Sequence, residues 1–224
     1  MLGQAAQDYL KTIYKLQRRG GKVQTSALAG ALGVQDASVT NMVKKLADLG
    51  LLAHTPYYGV ALTPAGRRAA LEIIRHHRLI ELYLQQALGY TWDEVDAEAE
   101  RLEHHISEEF EDRIDRMLGY PTTDPHGDPI PRKDGEVDDV EHTRLTDLQP
   151  GEVAVIRRVS DRDPAFLRYL ASLGLYPGVT ITLRERAPFR GPLFVLVGET
   201  EHALGVDAAG HIGVERDSGL KRFS

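Results

Sequence analysis

The chain has 224 residues, 42% of them hydrophobic and 27% charged, with a formal net charge of -6 and no cysteine. That composition is ordinary for a globular chain, no run is apolar for long enough to make a membrane helix, and disulfides and thiolate metal ligands are excluded. Any bound metal must therefore use oxygen and imidazole. The opening MLGQAAQDYLK has no signal-peptide pattern, so a cytoplasmic location is expected. The charge is unevenly divided. Lys and Arg exceed Asp and Glu by 6 over residues 1–75, fall short by 13 over 76–143, and exceed by 1 over 144–224. A basic first third beside an acidic middle suits a polyanion partner for one and a cation for the other.

In chain order, apolar residues Ala5, Tyr9, Leu10, Ile13, Tyr14 and Leu16 predict a helix over 4–19, closed by Gly20-Gly21. Thr25 or Ser26 caps a short helix to Leu32. After a turn at Gly33, another helix runs from about Asp36 to Leu49. Ala29, Gly33 and Val39 stand at helix-turn-helix spacing: a small packing residue, a turn glycine and an apolar anchor. Two short strands over 51–62, turning at Pro56-Tyr57-Tyr58-Gly59, add a wing. On the second helix, Ala37, Thr40, Asn41 and Lys44 face away from the anchors, with Ser38 at the edge. Asn41 suits a base edge, Ser38, Thr40 and Lys44 suit phosphates, and Tyr57 and Tyr58 sit at the wing tip. The local charge of +6 supports DNA binding.

Thr63-Pro64 starts a long helix to about Leu88, and Thr91 with Glu94 has the capping-box pattern for a next helix over Asp93–Leu118. At about 100° per residue, Asp96, Glu100, Glu103 and His104 fall on one flank of that helix. They lie beside an apolar stripe of Val95, Ala99, Leu102, Ile106 and Phe110, while His105 points to the far side. Carboxylates with one imidazole favour Mn(II) or Fe(II) over Zn(II); the alternative is a solvated acidic face. On the preceding helix His77 and Glu81 are spaced i, i+4 within an apolar face, where a carboxylate needs a partner, either a metal or the histidine itself. Residues 121–143, rich in Pro, Asp and Gly, read as an extended linker. Strands are expected at Val153–Val159, Val179–Arg186, Leu193–Val197, His202–Val206 and His211–Glu215, with a short helix near Pro164–Ser172. That spacing fits a small barrel. His54, His126, His142 and His211 read as solvent-facing or structural.

Asp8-Tyr9-Leu10…Ile13-Tyr14, the winged helix, His77…Glu81, Glu100-x-x-Glu103-His104 and His126-Gly-Asp-Pro-Ile-Pro131 occur in an order that resembles the diphtheria-toxin-repressor family of metal-dependent regulators. The resemblance implies a multi-domain α+β chain. Its parts are a winged-helix DNA domain (1–72), an all-α metal-binding and dimerisation domain (73–143, including the linker) and an SH3-like β-barrel (144–224). It also implies a homodimer that binds palindromic operator DNA when loaded with Mn(II), or Fe(II), and controls metal uptake, with no catalytic residue and no membrane partner. Carried across, the main metal site is Asp8, Glu100, Glu103 and His104, and the second is His77, Glu81 and Asp96, with Asp161 and Asp163 from the barrel as further donors.

Two departures narrow the transfer. Manganese-responsive relatives with a paired-metal site have a glutamate where Lys11 stands, and Asp96 occupies a position that is histidine in iron-responsive members. Two other readings are a metal-independent winged-helix regulator and a carboxylate-bridged di-metal enzyme. The enzyme lacks its Glu-x-x-His motif on the acidic helix, since Glu199…His202 lies in the expected barrel.

Overall fold

The computed structural model describes residues 2–18, 20–55, 59–138 and 140–217. Helix α1 (Gln4–Gln17) buries Ala6, Tyr9, Leu10, Ile13 and Tyr14 against α2 (Thr25–Leu32) and α3 (Asp36–Asp48). Gly33 takes the left-handed conformation between α2 and α3, and Val39, Val43 and Leu46 anchor α3 in the core. Strands β1 (Leu52–Thr55) and β2 (Gly59–Leu62) pair antiparallel as the wing. Tyr57 and Tyr58, assigned to the wing tip, lie outside the described residues.

Helix α4 (Pro64–Leu88) begins with a Thr63 cap that accepts from the Gly66 amide at 3.1 Å, and it ends at a left-handed Gly89. Its first turns pack Ala70, Leu71 and Ile74 into the winged-helix core, whereas Leu79, Ile80, Leu82 and Leu84 pack with the helical part. The expected boundary at 72/73 thus falls inside one continuous helix, which ties the two units together.

The single helix expected over Asp93–Leu118 is two: α5 (Val95–Leu102) and α6 (Glu108–Met117). Ser107, in extended conformation, accepts from the Phe110 amide at 3.2 Å and starts α6 with Glu108, Glu109 and Glu111 in its first turn. A serine cap and acidic first turn favour a new helix start over continuation. The apolar stripe breaks with it: Leu102 and Phe110 are 38% and 43% exposed, while Val95 and Ala99 are buried. Thr91 and Glu94 form half of the expected capping box, the Glu94 carboxylate accepting from the Thr91 amide at 3.1 Å.

Residues 121–131 are not a solvated linker. The Asp124 carboxylate accepts from the His126 and Asp128 amides at 2.9 Å each, closing a tight turn. Arg75 and Arg78 of α4 donate to the Pro131 and Pro129 carbonyls. With its polar groups satisfied locally, this segment buries Asp124, His126, Asp128 and Ile130.

The C-terminal part is a six-stranded antiparallel sheet in the order β3-β8-β4-β5-β6-β7. Its strands are β3 (Thr143–Arg144), β4 (Val153–Val159), β5 (Thr180–Arg186), β6 (Leu193–Val197), β7 (Thr200–Leu204) and β8 (Ile212–Arg216). Helices α7 (Pro164–Ser172) and α8 (Val206–Ala209) complete it. Register shifts at Ile156/Arg158 and Leu183/Glu185 bend the sheet around its core, as bulges do. Trp92, from the loop before α5, inserts into that core, so the barrel is clamped to the helices.

The Val159 amide donates to the His126 carbonyl at 2.9 Å, and Gly127 packs beneath β4. Gly127 has φ +86, and an added Cβ would lie 1.9 Å from the Arg157 carbonyl oxygen. Gly127→Ala is expected to lower stability by about 1–3 kcal/mol from backbone strain alone, plus the cost of moving β4. Gly151→Ala, at φ +88 with open space, carries the strain without the overlap. Equal urea midpoints for the two variants would refute the close approach.

Candidate metal centres

Ala37, Ser38, Thr40, Asn41 and Lys44 form one exposed face of α3, opposite the buried anchors. The Thr40 hydroxyl donates to the Asp36 carbonyl at 2.9 Å and must turn from that bond to donate to a phosphate. This face is the reading surface expected of the helix-turn-helix.

Behind it, α1 and the end of α5 bring Asp8, Glu100, Glu103 and His104 together, one ligand atom from each lying within 4.8 Å of the others. Glu103 is the last residue of the α5 turn and His104 follows it, so the helix end places both. His104 Nδ1 meets the Gln7 side-chain carbonyl at 2.6 Å. That oxygen only accepts, so Nδ1 is the donating nitrogen and Nε2 is the one turned towards the carboxylates. Nε2 points at Asp8 Oδ1, 2.9 Å away, and at Glu103 Oε1, 3.4 Å away. Neither His104 Nε2 nor Asp8 Oδ1 has a hydrogen-bond partner. An imidazole held in one tautomer by an outer acceptor, with its free nitrogen among carboxylates, is the arrangement a divalent cation requires. Sequence reasoning missed the contact from Gln7, whose place one residue before Asp8 carries no motif.

Burial pushes the Asp8 carboxyl up; His104 opposes this, while Glu100 and Glu103 add to it. Burial acts the same way on Glu103, but its contacts with His77 and Lys11 outweigh it and hold the carboxyl below the usual range.

His77 and Glu81 lie one turn apart on the same face of α4, with His77 Nε2 3.4 Å from Glu81 Oε1 and 3.2 Å from Asp96 Oδ1. Its other nitrogen, Nδ1, lies 2.5 Å from Glu103 Oε2. Burial lowers the His77 pKa, but Glu81, Asp96 and Glu103 overcome it and raise it well above the ordinary histidine value. Carboxylates therefore face both nitrogens of His77 and favour its charged form. The hydrogen bond with His77 lowers the Asp96 pKa.

A second donor group lies beside it. Glu81, Asp124 and His126 are all buried, with ligand atoms within 4.8 Å of one another. His126 Nε2 donates to the Trp92 carbonyl at 2.7 Å, which leaves Nδ1 facing Glu81 Oε1 at 3.7 Å. Those two atoms also lack hydrogen-bond partners. Burial, with Glu81 and Asp128 beside it, raises the Asp124 carboxyl well above the usual range. Asp161 from the barrel is raised by burial and by Asp128 and Glu81 nearby. His126, expected to be solvent-facing or structural, is fully buried and poised as a donor. Its signal was the His126-Gly-Asp-Pro run, whose turn cannot be placed in space from sequence. Asp163 joins neither group; it is exposed and caps α7, its carboxylate accepting from the Ala165 amide at 2.8 Å.

A winged helix-turn-helix joined through α1 and α4 to clustered oxygen and imidazole donors defines a metal-responsive DNA-binding regulator. Residues 1–60 match "Iron dependent repressor, N-terminal DNA binding domain", residues 63–132 match "Iron dependent repressor, metal binding and dimerisation domain", and residues 143–216 match the FeoA domain. The iron-dependent repressor IdeR of Mycobacterium tuberculosis (strain ATCC 25618 / H37Rv) is 32% identical over 220 residues, covering 93% of this chain and 95% of that one. The HTH-type transcriptional regulator MntR of Geobacillus kaustophilus (strain HTA426) is 35% identical over 114 residues, 51% of this chain and 80% of that one. The solved structure "Manganese-dependent transcriptional repressor complex with manganese" matches with a TM-score of 0.86 at 41% identity, covering 94% of this chain and 99% of that one. The chain belongs to the diphtheria-toxin-repressor-like family of metal-dependent transcriptional regulators. It has that family's DNA-binding, dimerisation and SH3-like domains. Its relatives are repressors, which are regulators rather than enzymes.

Proposed function

We propose that this repressor binds palindromic operator DNA as a homodimer when Mn(II) is held by Asp8, Glu100, Glu103 and His104, and so controls metal uptake, with Fe(II) as the alternative ion. The observation that carries the reading is the facing pair of His104 Nε2 and Asp8 Oδ1, both without hydrogen-bond partners. Hard oxygen donors with one imidazole suit Mn(II) and Fe(II), and the manganese-bound solved structure and the MntR relative favour Mn(II) by similarity. A bound divalent ion would supply the positive charge that these carboxylates share.

Asp8 belongs to α1 of the winged unit, and the other three donors belong to the end of α5. Sharing one cation, they hold the winged unit at a fixed angle to the dimerisation helices. Two recognition helices of a dimer are then spaced for successive major grooves, about 34–36 Å apart. Ordering the reading heads in advance lowers the entropic cost of DNA binding, so metal and DNA affinities rise together. In the complex Asn41 reads base edges, Ala37 allows close approach, Ser38, Thr40 and Lys44 hold phosphates, and Tyr57 and Tyr58 contact the backbone from the wing.

A second cation is held by Glu81, Asp124 and His126, with Asp161 at its edge and the His77–Asp96 pair walling it off from the main cluster. His126 Nδ1, which has no hydrogen-bond partner, supports this choice over His77, whose nitrogens both already face carboxylates. The three units 1–72, 73–143 and 144–224 then act as reader, sensor and clamp. Among the described residues no helix is long and apolar enough to cross a membrane, and the working compartment we assign is the cytoplasm.

The test is an anaerobic titration of a palindromic duplex with the full chain, with Mn(II), with Fe(II) and after chelation, alongside sedimentation velocity. Equal DNA affinity with and without metal refutes the reading.

A further inference from the structure

Lys11 is 4% exposed, on α1 one turn from Asp8. Its ammonium donates to Glu100 Oε2 at 2.7 Å and to Glu103 Oε1 and Oε2 at 2.9 and 2.7 Å, and lies 3.2 Å from His77 Nδ1. Glu103 Oε1 also stands 3.4 Å from His104 Nε2. The same two carboxylates therefore serve both the ammonium and the Asp8–His104 donor pair.

Carboxylates shared between two positive centres are normally a means of holding two metal ions close together. Here one centre is part of the chain. Three carboxylates, from Asp8, Glu100 and Glu103, are balanced by one ammonium and one divalent ion. A second divalent ion beside the first would have to displace a buried ammonium from three short hydrogen bonds. It would also leave that ammonium unpaired, at a cost of several kcal/mol. Lys11 also borders His77, whose other nitrogen faces Glu81, so these two side chains stand between the main cluster and the Glu81–Asp124–His126 group.

We propose that Lys11 is a built-in second cation of the main site: its ammonium occupies, between Glu100, Glu103 and His77, the place of a second divalent ion, and so restricts that site to one metal. Lys11 is thus a specificity-determining residue for metal stoichiometry, and it keeps Glu100 and Glu103 together before metal arrives. This inference rests on the proposed metal role of the Asp8 cluster.

The experiment uses the full chain in a His126→Ala background, so that the second group does not obscure the count. Mn(II) bound per chain is measured by equilibrium dialysis, with low-temperature electron paramagnetic resonance to detect coupling between neighbouring ions and circular dichroism to check folding. With Lys11 intact, one Mn(II) per chain with an uncoupled spectrum is expected. Lys11→Glu leaves four carboxylates, so two Mn(II) per chain with an exchange-coupled spectrum are expected. An unchanged count in a folded Lys11→Glu protein overturns the proposal. Should that variant not fold, Lys11→Met decides. Loss of a positive charge next to the remaining ion is expected to tighten its binding by about tenfold or more, and unchanged or weaker binding overturns the proposal. Absence of any Mn(II) bound with Lys11 intact, with Asp8→Ala making no difference, identifies failure of the functional reading instead, and the proposal falls with it.

Discussion

Replacing Asp8 by alanine abolishes the gain in operator affinity that Mn(II) confers, a gain expected at about 5- to 150-fold for a coupled pair of ligands. The physical reason is chain connectivity. Asp8 is the donor supplied by α1, whereas Glu100, Glu103 and His104 come from α5 and the turn after it. The alanine variant can still collect a cation at the α5 end, but that cation no longer joins the reader to the sensor. Metal-free stability should be unchanged or slightly higher, because Asp8 is half-buried beside Glu100 and Glu103, which raise its pKa along with burial, against the pull of His104. Asp8→Asn keeps an oxygen donor and should retain part of the gain. Fluorescence anisotropy of a labelled palindromic duplex, with and without Mn(II), measures all three proteins. A full metal-dependent gain in Asp8→Ala would mean that the cation acts without tying α1 to α5.

Glu103 behaves differently, because it is 1% exposed and part of a buried charge network. It accepts from Lys11 with both oxygens and lies 2.5 Å from His77 Nδ1. Glu103→Ala removes the shared partner of two buried cations, and breaking such a pair costs about 3–5 kcal/mol. Glu100 still holds Lys11 and Asp96 still faces His77, which places the expectation near the lower end. The pH dependence follows from the lowered Glu103 pKa. A carboxyl with a depressed folded value contributes its stability above its unfolded value, about 4.3, and loses it as pH falls through the folded value. Urea unfolding of the metal-free proteins should therefore show a large gap between wild type and Glu103→Ala at neutral pH, closing in acid. A constant gap across that range would show that packing, rather than charge, carries the loss. Mn(II) binding is lost in this variant as well, unlike a purely structural substitution.

The two substitutions separate roles that look alike in sequence, since both are acidic residues in or near a helix. Periodicity and caps were enough for the helix-turn-helix, because a 3.6-residue repeat, a turn glycine and a wing are local features. Five of the six barrel strands were legible for the same reason, to within one or two residues at their ends, whereas the two-residue β3 was not. The division of residues 93–118 into two helices was also written locally, in Ser107 and the acids after it, but the continuing apolar spacing masked it. The burial of residues 121–131 was not legible. Proline and aspartate are typical of solvated segments, and distant partners, Arg75 and Arg78 from α4 and Val159 from β4, make this one part of the interior.

By itself the sequence determined the order of reader, sensor and barrel, the absence of thiolate chemistry and the four side chains that the fold gathers as a candidate donor group. Residue type and short-range spacing suffice for those, and an ordered motif set supplied the distant Asp8. Tertiary structure decided which charges meet. His77 and His126 are both histidines near acidic residues, yet one is flanked by carboxylates at both nitrogens and the other has a nitrogen without a hydrogen-bond partner. Lys11, which in the sequence only spoils a motif, proves to be a buried counter-ion shared by two glutamates 89 and 92 residues away. Protonation and coordination depend on what surrounds a group within a few ångströms in space. Contacts closed by four helices and a docked barrel cannot be read from one-dimensional spacing.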